Sequence, residues 1–424
     1  MITLFIVLLI CIYLLFTKAL KSSLELRFIL LVTSGYWFLN FILNPALMLL
    51  SNSTGLATIV SDNRISGNLF LARNALQAAA IGCLIFLASV AILTKIPRRE
   101  KSLTPVNFSG NPTYLLVILA IIGGISLYIE QTSFANIFSK SLVSLASINF
   151  SVFLWIRKDL VIPIKVEFFL TVVGLGELFF LYSKTNYSKG VVLTPILIFI
   201  YRLEIWSLRH NRISRLIFLV TLMLSFFYLF NLLQAFKLGE TFSTSEAVGT
   251  SQFPAFLLVL LPIAQRFDQF PRIIDAQFST DPNFQGFSRW LHEIWKNLSW
   301  NPGSGRVDST FGQVWNTQIT SQSIPNAKFS NVSLAQGFVS DGILWHGYVS
   351  LTIEAFFIAV VYIYLSRLLS GNLKRIYLVF CLISNGALFE SGSVALAALF
   401  SNTLKIYLTL VTFEYLISIK TRKN

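Results

Sequence analysis

Charged side chains lie beside the ends of long apolar segments of this chain. Five of them are cations able to hold a pyrophosphate, because Arg binds such a group through paired hydrogen bonds and Lys adds a point charge. These cations are Lys184, Lys189, Arg266, Arg272 and Arg306. The side chains able to accept a proton from a sugar hydroxyl are Asp268, Asp341 and His346. Together these groups favour a lipid-pyrophosphate substrate, and which of the three accepts the proton stays open.

Several of these residues also have structural interpretations. Long basic side chains reach readily to lipid headgroups, so Lys184 and Arg272 can equally be anchors at the membrane surface. A lone His such as His346 is more often structural than catalytic, although it lies near Asp341 and Glu354 in the chain. The sequence therefore nominates these groups without deciding their roles.

Two further carboxylates belong to the apolar segment at 161–182. Glu177 lies near one end of it, where a charge is costly and a functional role is the default hypothesis. Glu167 lies near the other end and is interpreted as a structural ion pair or helix-end group.

Familiar motifs for nucleotides and metals do not occur in the sequence. It has no glycine-rich phosphate loop, dinucleotide fingerprint, paired Cys motif or zinc-type His spacing. Its three cysteines all fall inside apolar segments, at Cys11, Cys83 and Cys381. We therefore expect neither a cofactor nor a tightly held metal ion.

The apolar segments predict an all-α, polytopic transmembrane helical bundle. Hydrophobic residues make up 55% of the chain and charged residues 12%, against about 25% charged in soluble proteins. About eleven segments approach the roughly 20 residues that a membrane-crossing helix needs. They are 2–17, 28–50, 69–93, 113–130, 135–155, 161–182, 190–206, 214–236, 350–368, 376–391 and 397–418. The predicted organisation is helices 1–8 in residues 1–236, one large extracytoplasmic loop at 237–349, and helices 9–11 in residues 350–424.

Charge alternates between successive connections, which predicts the topology. Lys and Arg concentrate in every second short connection and in the C-terminal tail, as expected for segments that face the cytoplasm. The N-terminus is then outside, the C-terminus is cytoplasmic, and residues 1–16 are a retained first helix. The net charge of +14 follows from this pattern, so a nucleic-acid partner is not expected.

The large loop contains two apolar stretches and a glycine-rich turn. Residues 253–264 are too short to cross a bilayer and fit either a re-entrant piece or a short helix packed on the bundle. Residues 284–300 have helical periodicity, and we interpret Trp290 and Trp295 as anchors at the membrane interface. Residues 301–306 form a turn in which two glycines permit close approach of a ligand.

Three short segments resemble the O-antigen polymerase, or oligosaccharide repeat-unit polymerase, family of bacterial membrane glycosyltransferases. Residues 331–347 resemble the stretch in which that family enters the helix after its long outer loop. Residues 182–191 resemble its short outer loop, with Lys189 at the basic position before a glycine. Residues 265–270 resemble its Arg-Phe stretch. The layout of many helices, one long late loop and a few closing helices is similar as well.

The resemblance implies an enzyme of the bacterial inner membrane that needs no nucleotide. Such enzymes transfer a glycan from its polyprenyl-pyrophosphate carrier to the end of another carrier-linked repeat unit, during O-antigen, capsule or exopolysaccharide synthesis. Its partners would be that lipid-linked glycan, the bilayer and, as a further candidate, a chain-length regulator. Two alternatives stay open: a transporter of a lipid-linked or anionic solute, and a related ligase that attaches finished glycan to another acceptor.

Overall fold

A computed structural model describes about two fifths of the chain. The described residues are 1–46, 69–96, 112–130, 149–155, 157, 161–184, 195–196, 198–199, 202, 269–278, 288, 290–291, 337–365 and 381. Of these residues 94% are helical and none belongs to a strand. For the part of the chain that is described, the all-α prediction is confirmed.

The main helices are numbered here in chain order. They are α1 (Ile2–Leu20), α2 (Leu24–Phe38), α3 (Leu69–Lys95), α4 (Pro112–Glu130), α5 (Ile164–Lys184), α6 (Gln269–Phe278), α7 (Phe338–His346) and α8 (Tyr348–Ala359). Two of them continue as π-helix, α2 through Leu39–Leu43 and α8 through Val360–Leu365. Residues 149–155 are helical as well.

Within the described residues, three helical stretches are long and apolar enough to cross a membrane, namely Ile2–Leu20, Leu26–Ala46 and Phe70–Lys95. Two shorter apolar helices run over Leu116–Ile129 and Tyr348–Tyr364. These stretches correspond to predicted segments 1, 2, 3, 4 and 9 and indicate a membrane protein. The number of crossings and the side of the membrane on which each terminus lies stay predictions.

Three hydroxyl side chains illustrate how polar groups are satisfied inside the apolar helices. Thr33 Oγ1 donates to the Ile29 carbonyl at 2.8 Å, and Ser89 Oγ donates to the Ile85 carbonyl at 2.8 Å. Ser126 Oγ donates to the Gly123 carbonyl at 2.7 Å. Since a bilayer offers no water to polar groups, such local bonds let hydroxyls reside in membrane helices at little cost.

The described helices divide into two compact units. Unit 1 contains α1, α2, α3, α6, α7 and α8, and unit 2 contains α4, α5 and the helical residues 149–155. In unit 1, an aromatic cluster joins α2, α3 and α7. Trp37 lies edge-on to Phe86 with ring centres 5.3 Å apart and stacks on Phe338 at 6.3 Å. This cluster helps to hold α7 against the apolar helices.

Helices α7 and α8 fold back on each other at Gly347. Gly347 has φ 63°, a left-handed conformation that other residues rarely adopt. The helices then approach so closely that a Cβ atom on Gly342 would lie 2.5 Å from Leu351 Cα. Ser350 Oγ also donates a hydrogen bond to the Gly342 carbonyl. The hairpin thus places the residues before Gly347 beside the residues after it.

Helix α7 lies inside residues 237–349, which the sequence analysis assigns to the outer loop with short re-entrant or interfacial helices. Phe338–Trp345 are all buried inside unit 1, and α8 begins at Tyr348, two residues before the predicted start at 350. The nine residues of α7 are too few for a membrane-crossing signal, so only their packing against α8 and α6 reveals the helix.

In unit 2, helix α5 packs closely on residues 149–155. A Cβ atom on Gly174 would lie 2.9 Å from Phe150 Cγ and 3.0 Å from Phe150 Cβ, atoms that a ring rotation does not move away. We predict that Gly174→Ala lowers the free energy of unfolding by about 1–3 kcal/mol through overpacking. Thermal unfolding of the protein in detergent measures this change.

Gly176→Ala is the matched control, because a Cβ atom at Gly176 meets no atom within 4 Å. It should leave stability unchanged or raise it, since Ala favours helix over Gly by about 1 kcal/mol. Equal unfolding temperatures for the two variants would contradict the packing at Gly174.

Candidate functional site

A buried hydrogen bond joins the described part of the large loop to helix α8. Trp290 Nε1 donates to Glu354 Oε1 at 2.8 Å. Trp290 is 5% exposed and Glu354 is fully buried. Hydrogen bonds of an N–H to a carboxyl in such surroundings are strong, because no water competes for either partner.

A second carboxyl completes this centre. The carboxyl of Glu354 interacts with that of Asp341 through charge and through a side-chain hydrogen bond. Asp341, in the first turn of α7, is 4% exposed. Two carboxyl groups this close together can hold one proton between them, as in other paired-carboxyl sites. The Asp341–Glu354 pair, with Trp290, is therefore a centre able to bind and release a proton.

The hairpin explains why these two carboxyls meet. Asp341 lies six residues before Gly347 and Glu354 lies seven residues after it. At 1.5 Å per residue, both lie about 10 Å along their helices from the turn. Residues at matching distances from a helical hairpin face each other, so the fold brings together two acidic groups that are thirteen positions apart in sequence.

Neighbouring hydroxyls do not compete for the carboxyl pair. Ser340 Oγ donates to the Gly337 carbonyl at 3.0 Å, and Ser350 Oγ donates to the Gly342 and Gly347 carbonyls. Glu354 Oε2 receives no N–H or hydroxyl donor from the described residues. The proton shared with Asp341 is thus the group available to satisfy that oxygen.

His346 does not join the carboxyl pair. It is exposed at the last position of α7, five residues after Asp341. At 100° per residue it lies about 140° around the helix axis from Asp341. Of the two proton acceptors nominated from the sequence that the structure describes, only Asp341 has a carboxyl neighbour in a buried site.

Arg272 belongs to the helix that packs on α7. Helix α6 buries Phe270, Ile273 and Ile274, and contacts both α7 and α3. Gln277 Nε2 donates to the Asn74 carbonyl of α3 at 3.4 Å, which adds a polar link to that packing. The half-buried Arg272 therefore lies on α6, which packs against α7, the helix of Asp341.

The other nominated residues are placed less fully. Lys184 is the last residue of α5, in unit 2, and only its backbone is described. Four lie outside the described residues: Asp268, Lys189, Arg266 and Arg306. Their proposed roles in proton transfer or pyrophosphate binding stay predictions.

For Trp290, the interpretation as a membrane-interface anchor is wrong. An anchor exposes its ring to headgroups, whereas Trp290 is buried and bonded to Glu354. Leu291 beside it is 47% exposed, so the neighbouring apolar side chain faces outward while the tryptophan faces the protein. The sequence signal that points to this centre is one carboxylate on each side of Gly347, in an apolar region.

One structural pair expected from the sequence is confirmed. Arg157 Nη2 lies 2.7 Å from Glu167 Oε1, and both side chains are partly exposed. An exposed pair of this kind contributes little stability, about 0–1 kcal/mol. Glu167 is therefore a structural carboxylate and provides a control for the functional ones.

Neither a metal site nor a known relative accounts for the carboxyl pair. Within the described ranges, no group of three His, Cys, Asp or Glu residues could hold a metal ion. No family model, curated protein or solved structure matches the chain. Its function has to be argued from the chemistry of the site and from the resemblance noted in the sequence.

Proposed function

We propose that this protein is a membrane polysaccharide polymerase that joins polyprenyl-pyrophosphate-linked oligosaccharide repeat units on the extracytoplasmic face. The observation that carries the proposal is the buried Asp341–Glu354 pair, which supplies the proton acceptor that such a transfer requires. The segments that resemble the polymerase family include α7, the helix on which Asp341 lies.

The proposed reaction is a single displacement at the donor sugar. A hydroxyl oxygen of the acceptor repeat unit forms a bond to the anomeric carbon, and the bond from that carbon to the pyrophosphate oxygen breaks. The bond electrons leave with the polyprenyl pyrophosphate, and the hydroxyl proton passes to the Asp341 carboxylate. Because the donor is already activated, the step needs no nucleotide.

Glu354 acts in this scheme as a positioning residue. Trp290 fixes one of its oxygens by a hydrogen bond, and its carboxyl in turn holds that of Asp341. A catalytic base works only if it is held within hydrogen-bond reach of the hydroxyl that it deprotonates. Glu354 therefore orients the Asp341 carboxylate, and the proton of the acceptor hydroxyl stays on Asp341 until it is released to water.

The cations would stabilise the charge that builds on the departing pyrophosphate. Arg272 is the described candidate, because its helix packs on the helix of Asp341. Lys184, Lys189, Arg266 and Arg306 are assigned to the same role from the sequence. Single Ala substitutions of Arg272 and Arg306 test the assignment by the length of the glycan that each variant makes.

A proton-coupled transporter is the second candidate function. Ionisable groups inside membrane segments commonly mark proton pathways of transporters, and the Asp341–Glu354 pair is such a group. The two functions predict different products. A polymerase lengthens a lipid-linked glycan, whereas a transporter moves its substrate across the bilayer unchanged.

Reconstitution into liposomes with a lipid-linked repeat unit distinguishes these functions. We expect a ladder of products that differ by one repeat unit, with release of polyprenyl pyrophosphate. Movement of the glycolipid across the bilayer without lengthening would refute the polymerase and support the transporter. A single transfer to a different acceptor, identified by mass spectrometry, would indicate the ligase.

The link between Trp290 and Glu354 yields a further prediction. Trp290→Phe removes the indole N–H and keeps an aromatic ring, so we expect polymerisation to fall by about tenfold or more, as for loss of a buried hydrogen bond to a charged group. Rates are measured with the same reconstituted assay, at matched protein levels.

Glu354→Ala and the double variant complete a thermodynamic cycle with Trp290→Phe. If the two side chains act through their hydrogen bond, the double variant should be little worse than Glu354→Ala alone. If the fold losses of polymerisation rate in the two single variants multiply in the double variant, Trp290 and Glu354 act independently. Trp290 would then not belong to the site.

A further inference from the structure

Unit 2 contains a buried carboxyl that the proposed reaction does not use. Glu177 lies on α5 and is 4% exposed. Its nearest polar partner is Asn149, whose Nδ2 atom lies 3.5 Å from Glu177 Oε1 and 3.4 Å from Oε2. These distances are at the long end of the range for hydrogen bonds, so the amide compensates poorly for a negative charge.

Asn149 makes its shortest hydrogen bond to a partner other than Glu177. Its Nδ2 donates to the Leu119 carbonyl of α4 at 2.7 Å, the shorter of its contacts. Asn149 Oδ1 receives no donor from the described residues. The amide thus leaves an open acceptor on the same side chain that touches both oxygens of Glu177.

Small residues bring three helical segments together around this carboxyl. Gly124 of α4 faces Glu177, because a Cβ atom there would lie 3.8 Å from Glu177 Oε1. Gly174 of α5 lies against Phe150, next to Asn149. The carboxyl of Glu177 therefore lies between α4, α5 and residues 149–155.

The described charged side chains of α4, α5 and residues 149–155 lie away from Glu177. On α4 the described ionisable side chain is Tyr128, which is 72% exposed, and residues 149–155 include none. On α5, Lys165 and Glu167 are at least ten residues from Glu177, about 15 Å along the helix. Tyr182 follows five residues later.

The other described cations of unit 2 are Arg157, which pairs with Glu167, and Arg202, and both are engaged at other positions. Arg202 lies over the ring of Trp155, 5.4 Å from its centre. Trp155 is six residues beyond Asn149, about 9 Å along the helix. Among the described residues, Glu177 therefore has an amide partner and no cation.

We propose that Glu177 and Asn149 form a buried proton-binding site in unit 2, between α4, α5 and residues 149–155. Removing a carboxylate from water is unfavourable, and the two long contacts to the Asn149 amide do not offset that cost. Binding of a proton neutralises Glu177 and removes the unfavourable buried charge. The proton comes from water and returns to water when the site opens. This site does not depend on the polymerase reaction and would persist if that proposal failed.

Infrared spectroscopy of the reconstituted protein tests the proposal. A protonated carboxyl has a carbonyl band distinct from that of a carboxylate, and the band shifts when the proton is exchanged for deuterium. We expect such a band at neutral pH in the wild type and a lower intensity of that band in Glu177→Gln, because only the contribution of Glu177 is removed and that of the Asp341–Glu354 pair stays. Glu167→Gln, which removes the ion-paired carboxylate, should leave the band unchanged. A band that is identical in the wild type and Glu177→Gln would overturn the proposal.

Chemical labelling of the wild type provides a test that does not require the variant to fold. Dicyclohexylcarbodiimide is apolar and adds to protonated carboxyl groups within membranes. We expect one carbodiimide on the peptide that contains Glu177, with labelling that declines as the pH rises. Absence of label at Glu177, or equal labelling of Glu167, would refute the proton site.

Discussion

Asp341→Asn is expected to abolish polymer formation almost completely. The amide is nearly the same size as the carboxyl and can still hydrogen-bond to Glu354, but it cannot accept the proton of the acceptor hydroxyl. General-base catalysis typically contributes about 10²–10⁴-fold to a rate, so the variant should lose activity in that range. The measurement is the rate at which repeat units are added by protein reconstituted at matched levels.

The outcome at Asp341 has a built-in control. Glu167→Gln makes the same chemical change at a carboxylate that is paired with Arg157 and partly exposed, and polymerisation should remain normal. The thermal unfolding temperature of Asp341→Asn should stay near that of the wild type. Full-length polymer from Asp341→Asn would show that this carboxyl is not the base. The buried carboxyl pair would then no longer support the proposed function.

Gly342→Ala is expected to damage both the fold and the site. The added Cβ atom would lie 2.5 Å from Leu351 Cα and 2.9 Å from its backbone nitrogen, so the backbone itself must move. Overpacking of this kind costs about 1–3 kcal/mol. Since α7 and α8 carry Asp341 and Glu354, their separation should also lower polymerisation by much more than the loss of stability alone explains.

Gly35→Ala is the matched substitution for this test. Gly35 lies on α2, and a Cβ atom there meets no atom within 4 Å. The variant should unfold at the same temperature as the wild type or slightly higher, and should keep its activity. If Gly342→Ala behaved in the same way, the close contact between α7 and α8 could not be what positions the carboxyl pair.

Local sequence was sufficient for the long apolar helices. Ile2–Leu20 and Phe70–Lys95 were recognised within a few residues, because apolar composition over about 20 positions requires a membrane-buried helix whose backbone bonds are internal. Asp341 was also nominated from the sequence, since a carboxylate beside an apolar segment demands an explanation. Both inferences need only neighbouring residues.

Contacts between distant residues decided the rest. The sequence could not show that Trp290 bonds to Glu354, which is 64 positions away, or that Asn149 reaches Leu119, which is 30 positions away. Helical periodicity describes which side chains share a face, but it does not say which helix covers that face. For the same reason Trp290 was interpreted as a membrane anchor although it faces the protein interior.

The sequence by itself determined that this is a helical chain suited to a membrane, with acidic and basic groups at the ends of its apolar segments. Only the tertiary structure decided which of those groups act together. Burial and pairing are set by the close approach of helices at Gly342 and Gly347, and that approach depends on side chains from several elements at once. Glu354 belongs to a candidate functional site because packing removes its carboxyl from water and places a second carboxyl and an indole N–H against it.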